Sequence, residues 1–176
     1  MNDFETEPFY KRRPKVPIWR RSCALVVDVI PVWLLSLLVG KNLIIILLIW
    51  IGLRVLLVSY NQGQSLGRWA FDMKVIDERR GRSPGFVELA KREGLTGLGV
   101  SLAIIGVTSL SPIAAQYMLL VLPLAVDCGV AYFDELKQQT FHDRLAGTVV
   151  VPTRRGYSLD LKIKKWFAQL RRFVKQ

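Results

Sequence analysis

Residues 22–40 read SCALVVDVIPVWLLSLLVG and residues 42–60 read NLIIILLIWIGLRVLLVSY, with Lys41 alone between them. Each run is 19 residues long and holds one charge, Asp28 in the first and Arg54 in the second. An α-helix rises about 1.5 Å per residue, so about 20 apolar residues cross a hydrocarbon core of about 30 Å. Each run is therefore one span, and Lys41 marks the turn. Residues 94–133 form a third stretch, 40 residues long with Asp127 as its only charge. That length suits two spans, and Ser109-Leu110-Ser111-Pro112 breaks it near the middle. The pattern predicts an all-α membrane protein with four transmembrane helices, at about 22–40, 42–60, 92–109 and 113–134.

The composition agrees with that pattern. Of 176 residues, 51% are hydrophobic and 22% are charged, yet the mean hydropathy is positive at +0.28. Such values coexist when apolar and charged residues fall in separate blocks. A three-span alternative would read 94–133 as one span plus a buried piece. The placement of Lys and Arg arbitrates, because basic loops stay cytoplasmic. Six of these residues lie in 1–21, six in 61–91 and ten after 134, whereas the two outer turns hold only Lys41. Four spans put every basic block on one side, with both termini cytoplasmic at a plasma or inner membrane. The net charge of +11 is then a topology signal rather than a nucleic-acid footprint. Asp3, Glu5 and Glu7 precede the first span without a small-residue cleavage site after it, so that span is expected to stay as an anchor.

The polar segments divide the chain into three. Residues 1–17 hold three prolines and no apolar period, and predict a flexible arm. Residues 18–152 are the transmembrane domain. Within it, Met73-Lys74-Val75-Ile76-Asp77 alternates as a strand does, and Gly147-Thr148-Val149-Val150-Val151-Pro152 is a second β-branched run. A lone strand is unstable, so the two are expected to pair as a small cytoplasmic β element. Residues 153–176 form a basic amphipathic tail. Leu159, Ile163, Trp166, Phe167, Leu170 and Phe173 recur at helical spacing, with Lys162, Lys165 and Arg172 on the opposite face. One reading is an interfacial helix on anionic lipid head groups, and the other is a helix packed on the cytoplasmic loops.

Charges inside a span need a partner or a water path, since each costs about 2.5–3.5 kcal/mol at its centre. Asp28 lies 13 residues before Lys41, and Arg54 lies 13 after it. A tight helical hairpin puts them at similar depth, where an ion pair is feasible. Asp127, seven residues before Asp134, reaches the same layer from the inner end of the last span. Asp28, Arg54 and Asp127 are thus the candidate site. The layer either binds a cation or relays a proton, or it is a static network that fixes helix register. Transport across four spans would call for a homo-oligomer or a membrane partner.

Three segments carry a family resemblance. Arg21-Ser-Cys-Ala24-Leu-Val-Val-Asp28 resembles the opening motif of the RDD family of membrane proteins. Gly63-Gln-Ser-Leu-Gly67-Arg-Trp-Ala-Phe-Asp-Met-Lys-Val75-Ile-Asp77 is similar to its loop after the second span. Gln139-Thr-Phe-His142-Asp143-Arg144-Leu-Ala-Gly147-Thr148 is similar to its closing motif. The resemblance implies a polytopic protein with Arg21, Asp28 and Asp143 as signature residues. For the family, transport has been proposed and some members are linked to sodium–proton antiport, while others look like components of membrane assemblies.

Other signals are weaker. Gly63–Gly67 lacks the Gly-Lys-Ser/Thr ending of a phosphate loop. His142, the only histidine, is read as structural or capping, and Asp143 is expected to bond backbone amides or a loop arginine, Arg68 or Arg144. Cys23 and Cys128 are expected to be reduced and apolar. No catalytic constellation, metal set or cofactor motif is evident, so the expectation is a non-enzymatic protein without cofactor: a transporter of an ion or small solute, or a membrane scaffold.

Overall fold

The computed structural model describes residues 15–61, 63–134, 137–153 and 158–173. The arm expected at 1–17 lies outside them through residue 14, as do residues 154–157 and the Arg172 side chain.

Helix α1, Ile18–Val39, starts after Pro17 and ends at Gly40, whose φ of 81° an L side chain rarely adopts. Its buried face repeats every four residues, through Ala24, Asp28, Val32 and Ser36. Helix α2, Leu43–Ile51, starts under Asn42, whose side chain accepts the amides of Ile44 and Ile45. It then widens through one π-helical turn, Gly52–Leu56, and continues as Leu57–Tyr60. A short helix α3 (Leu66–Ala70) and strand β1 (Met73–Asp77) follow. Helix α4 spans Phe86–Thr108. Beyond the break at Ser109–Pro112, a 3₁₀ segment, Ala115–Val121, leads into α5 (Leu122–Phe133). The chain closes with α6 (Phe141–Ala146), β2 (Thr148–Pro152) and α7 (Leu159–Phe173).

Among the described residues, three helical stretches are long and apolar enough to cross a membrane: Ile18–Val39, Leu43–Tyr60 and Ala115–Phe133. The remaining expected span lies within α4. That helix starts at Phe86 rather than near 92, and its Lys91, Arg92 and Glu93 leave Gly94–Thr108 as the uncharged part, shorter than a full crossing. The first span likewise begins at Ile18 rather than near 22, because nothing stops the helix before Pro17. The outward surfaces are apolar. Only 6% of the Ala115–Phe133 window is buried, and Leu38, Ile113 and Phe133 stand more than four-fifths exposed. Apolar surface of that kind is costly in water and costs nothing in lipid.

The two expected strands do pair. They run antiparallel, from Met73 opposite Pro152 to Asp77 opposite Thr148. Met73, Val75 and Val150 pack one sheet face on Ala24 of α1, Val16 and Phe71, while Ile76, Val149 and Val151 cluster separately. The apolar core between the long helices is Val32, Ile46, Trp50, Val100 and Ile104.

Helix α3 docks on α1 backbone to backbone. A Cβ on Gly67 would stand 2.0 Å from the Ala24 carbonyl oxygen, whereas one on Gly94 would meet nothing within 4 Å. Gly67→Ala is therefore expected to destabilise the folded protein by about 1–3 kcal/mol through forced separation of α3 from α1. Gly94→Ala should be neutral or stabilising by up to about 1 kcal/mol. Unfolding midpoints of the two variants in one detergent check the pair, and equal midpoints would refute the close approach.

Candidate functional site: a buried arginine–carboxylate layer

Each charged side chain of the layer is placed by a local structural device. On α1, Asp28 follows Ala24 by one turn on the buried face. Its Oδ1 accepts the Gly67 amide at 2.8 Å, and its Oδ2 accepts the Ser65 hydroxyl at 2.7 Å. Ser65 also caps α3 by accepting the Arg68 amide. The sequence Gly63-Gln-Ser-Leu-Gly67-Arg68 thus reads as a mount for Asp28. Gly63, at φ 87°, packs on the Val75 carbonyl, and the Gln64 amide donates to the Met73 carbonyl at 3.1 Å.

Arg54 sits in the π-helical turn of α2, a feature often found at functional positions. It pairs with Asp28 through Nη1 and with Glu93 through Nε at 2.9 Å. Its guanidinium also stacks 4.8 Å above the Trp50 ring. Trp50 in turn donates to the Glu93 carbonyl at 3.1 Å, and Gly97 leaves room for its ring.

Glu93 is the hub. It has no exposed surface and meets three arginines: Arg54, Arg68 at 2.8 Å and Arg92 at 3.3 Å. Arg92 continues to Asp143 at 2.8 Å, and Asp143 also pairs with Arg21. Asp143 forms a capping box with Thr140 at the start of α6, and Gly147 closes that helix in the left-handed conformation. Burial alone would raise the Asp143 carboxyl, but Arg92 and Arg21 hold it well below the usual carboxylate range. Burial pushes the Arg68 guanidinium down to about 9, with Arg54 and Arg92 adding to the effect. It stays charged at neutral pH.

Asp28 and Arg54 meet as their depth suggests. Asp127 does not join them directly. Its Oδ1 accepts the His142 amide at 2.8 Å and its Oδ2 pairs with His142 Nδ1, while an apolar cleft of about 510 Å³ between α4 and α5 borders it. The link back to Asp28 runs through His142, Arg92, Glu93 and Arg54. Asp143 accepts the Thr140 backbone amide, as expected, but its arginines are Arg92 and Arg21, since Arg68 turns to Glu93 and Arg144 to Asp134 at 3.2 Å. His142 thus pairs with Asp127 through its ring and its amide, as well as forming part of α6.

The sequence reading missed Glu93 and the role of Arg92 because both fell at the margin of an expected span. The signal was present: Leu89, Arg92, Glu93, Thr96, Gly97 and Val100 recur at steps of three and four, and all are buried. Among the described residues, no three His, Cys, Asp or Glu side chains are grouped to hold a metal ion.

At the inner rim, Arg20 grips Asp160 with two bonds, at 2.6 and 3.1 Å, and donates to Ser158 at 2.6 Å. The start of α7 is thereby tied to the start of α1, while Lys162, Lys165 and the apolar Leu161, Ile163 and Trp166 stay exposed. Beside the layer lies a cavity of about 60 Å³, lined by Asp28 and Arg54 among others, with the exposed Ser22 in its wall.

Apolar helices around a buried charge layer define a membrane-type helical protein. The chain belongs to the RDD family, whose model matches residues 15–147. No curated protein and no solved structure matches it.

Because the folded Asp143 carboxyl is held below its unfolded value, its contribution to stability is complete above about pH 5 and fades as the pH falls further. Asp143→Asn leaves Arg21 without its counter-charge and Arg92 with Glu93 alone, so a loss of about 3–5 kcal/mol is expected at neutral pH. The same variant should show a shallower decline in stability between about pH 5 and 2. Unfolding midpoints against pH check this, and an acid limb identical to that of the unaltered chain would refute it.

Proposed function

We propose that this protein crosses a plasma or inner membrane four times, with both termini cytoplasmic, and that its arginine–carboxylate layer lies on a path for a small ion or solute. The parity of the chain supports the fourth crossing. Strands β1 and β2 pair, so the segments before α4 and after α5 share one side. If Ala115–Phe133 crosses the membrane, α4 has to cross with it. At the opposite end, the Lys41 ammonium donates to the Thr108 carbonyl at 2.8 Å and to the Ser109 hydroxyl at 3.1 Å. The two proposed outer turns therefore adjoin. Exposed Lys162 and Lys165 beside exposed Trp166 favour anionic head groups as the ground on which α7 rests. Single cysteines placed at Leu110 and at Leu161, both exposed, are expected to react with an impermeant thiol reagent from opposite compartments. A cysteine-free background, with Cys23 and Cys128 replaced, isolates the signal. Labelling from the same compartment would sink the four-span topology.

The observation that carries the transport reading is the cavity that reaches Asp28 and Arg54, since a sealed pair would offer no route. A second reading, a non-transporting scaffold, is favoured by another observation. Asp28, Glu93, Asp127 and Asp143 each have a cationic or histidine partner, as a static network would. Flux of a panel of cations and small anions in proteoliposomes decides between them. The transport reading expects measurable flux that Asp28→Asn lowers by about tenfold or more, given the worth of a charge-assisted bond. Absence of flux from folded protein, or flux unchanged in Asp28→Asn with stability lost, would favour the scaffold, in which the cytoplasmic motifs form the docking surface. In either reading the layer does no bond-making chemistry, and we place the protein outside the enzymes.

A further inference from the structure

The charges of the layer balance in number, but they do not face the cavity equally. Arg21, Arg54, Arg68 and Arg92 all line it, with His142 beside them, whereas Asp28 is the only carboxylate in its wall among the described residues. Glu93 and Asp143 bind these guanidiniums, and Asp127 pairs with His142, without lining the space. Nor is Asp28 open to a cation. Its Oδ2 accepts from Arg54 and Ser65, and its Oδ1 accepts the Gly67 amide. Among the described residues, a cation entering here would meet a wall with four arginines and no unengaged carboxylate oxygen.

Donors are in the opposite position. Arg68 is 4% exposed, and its Nη2 donates to Glu93 at 2.8 Å. Its Nη1 is buried and has no hydrogen-bond partner among the described residues. A buried guanidinium nitrogen without an acceptor is costly, and a bound acceptor removes that cost. The space limits the acceptor's size. A cavity of about 60 Å³ has room for an ion of a few atoms.

We propose that this cavity binds one small monovalent anion, of chloride to formate size, held by Arg68 Nη1 and the flanking guanidiniums of Arg21, Arg54 and Arg92. The inference names the ion class for the layer read above as a transport site, though binding can be tested without transport. Full-length protein in detergent, kept free of halide in gluconate buffer, is titrated with sodium chloride, nitrate or formate at constant ionic strength, sodium and pH. The unfolding midpoint should rise and saturate with each small anion, by the linkage of binding to folding, and should not respond to more gluconate. Arg68→Gln should weaken the apparent affinity by about tenfold or more.

Ser22→Phe offers a control that spares the charges. Ser22 is exposed in the cavity wall, and its hydroxyl donates only within its own helix, to the Ile18 carbonyl. A bulky ring there should abolish the anion response while leaving the anion-free midpoint near its original value. Two results would overturn the site: no saturable shift with any small anion, or native-like responses in both variants. A saturable anion shift without flux keeps the site and removes the transport reading. Cation flux with no anion shift does the reverse.

Discussion

A carboxylate with no exposure among apolar helices is tolerable only if cations surround it, and Glu93 is held in that way by Arg54, Arg68 and Arg92. The three arginines come from α2, α3 and α4, so a single charge fixes the relative position of three elements. Arg92 then passes the constraint to Asp143 on α6, and Arg21 brings α1 to the same carboxylate. Dispersion between apolar helices alone distinguishes rotations poorly in lipid, where the tails are as apolar as the side chains. An ion-pair chain of this kind selects one rotation for each helix, because every other leaves a charge unpaired.

The short polar segments serve that selection. Ser65 and the Gly67 amide hold both oxygens of Asp28, and the missing Cβ of Gly67 lets α3 reach the α1 backbone. Thr140 and Asp143 cap α6, and Gly147 ends it so that β2 can return to β1. The sheet is small, yet it joins segments separated by two long helices. It therefore constrains which ends of those helices lie together.

Stability and binding pull on the same groups. A network in which every carboxylate is paired explains rigidity without any ligand. What such closure leaves unexplained is the asymmetry of the cavity, whose wall holds four arginines but, among the described residues, one carboxylate. A purely structural network has no need to gather its donors around a void or to leave Arg68 Nη1 unmatched.

Much of the fold was legible in residue order. The charge-free runs marked the helices long and apolar enough to cross a membrane, and β-branched alternation located both strands. The Asp28–Arg54 pair followed from equal spacing about Lys41. Depth along a helix, however, carries no rotation, so Asp127 was placed near Asp28 when it turns to His142 instead. The π-helical turn that aims Arg54, and the inward face that makes Glu93 the hub, were likewise undecided by spacing. Hydropathy is a property of composition along the chain, so the sequence alone settled which segments are apolar and roughly where they start and stop. Which charge meets which depends on azimuth and packing among segments far apart in the chain, and only the tertiary structure decided that.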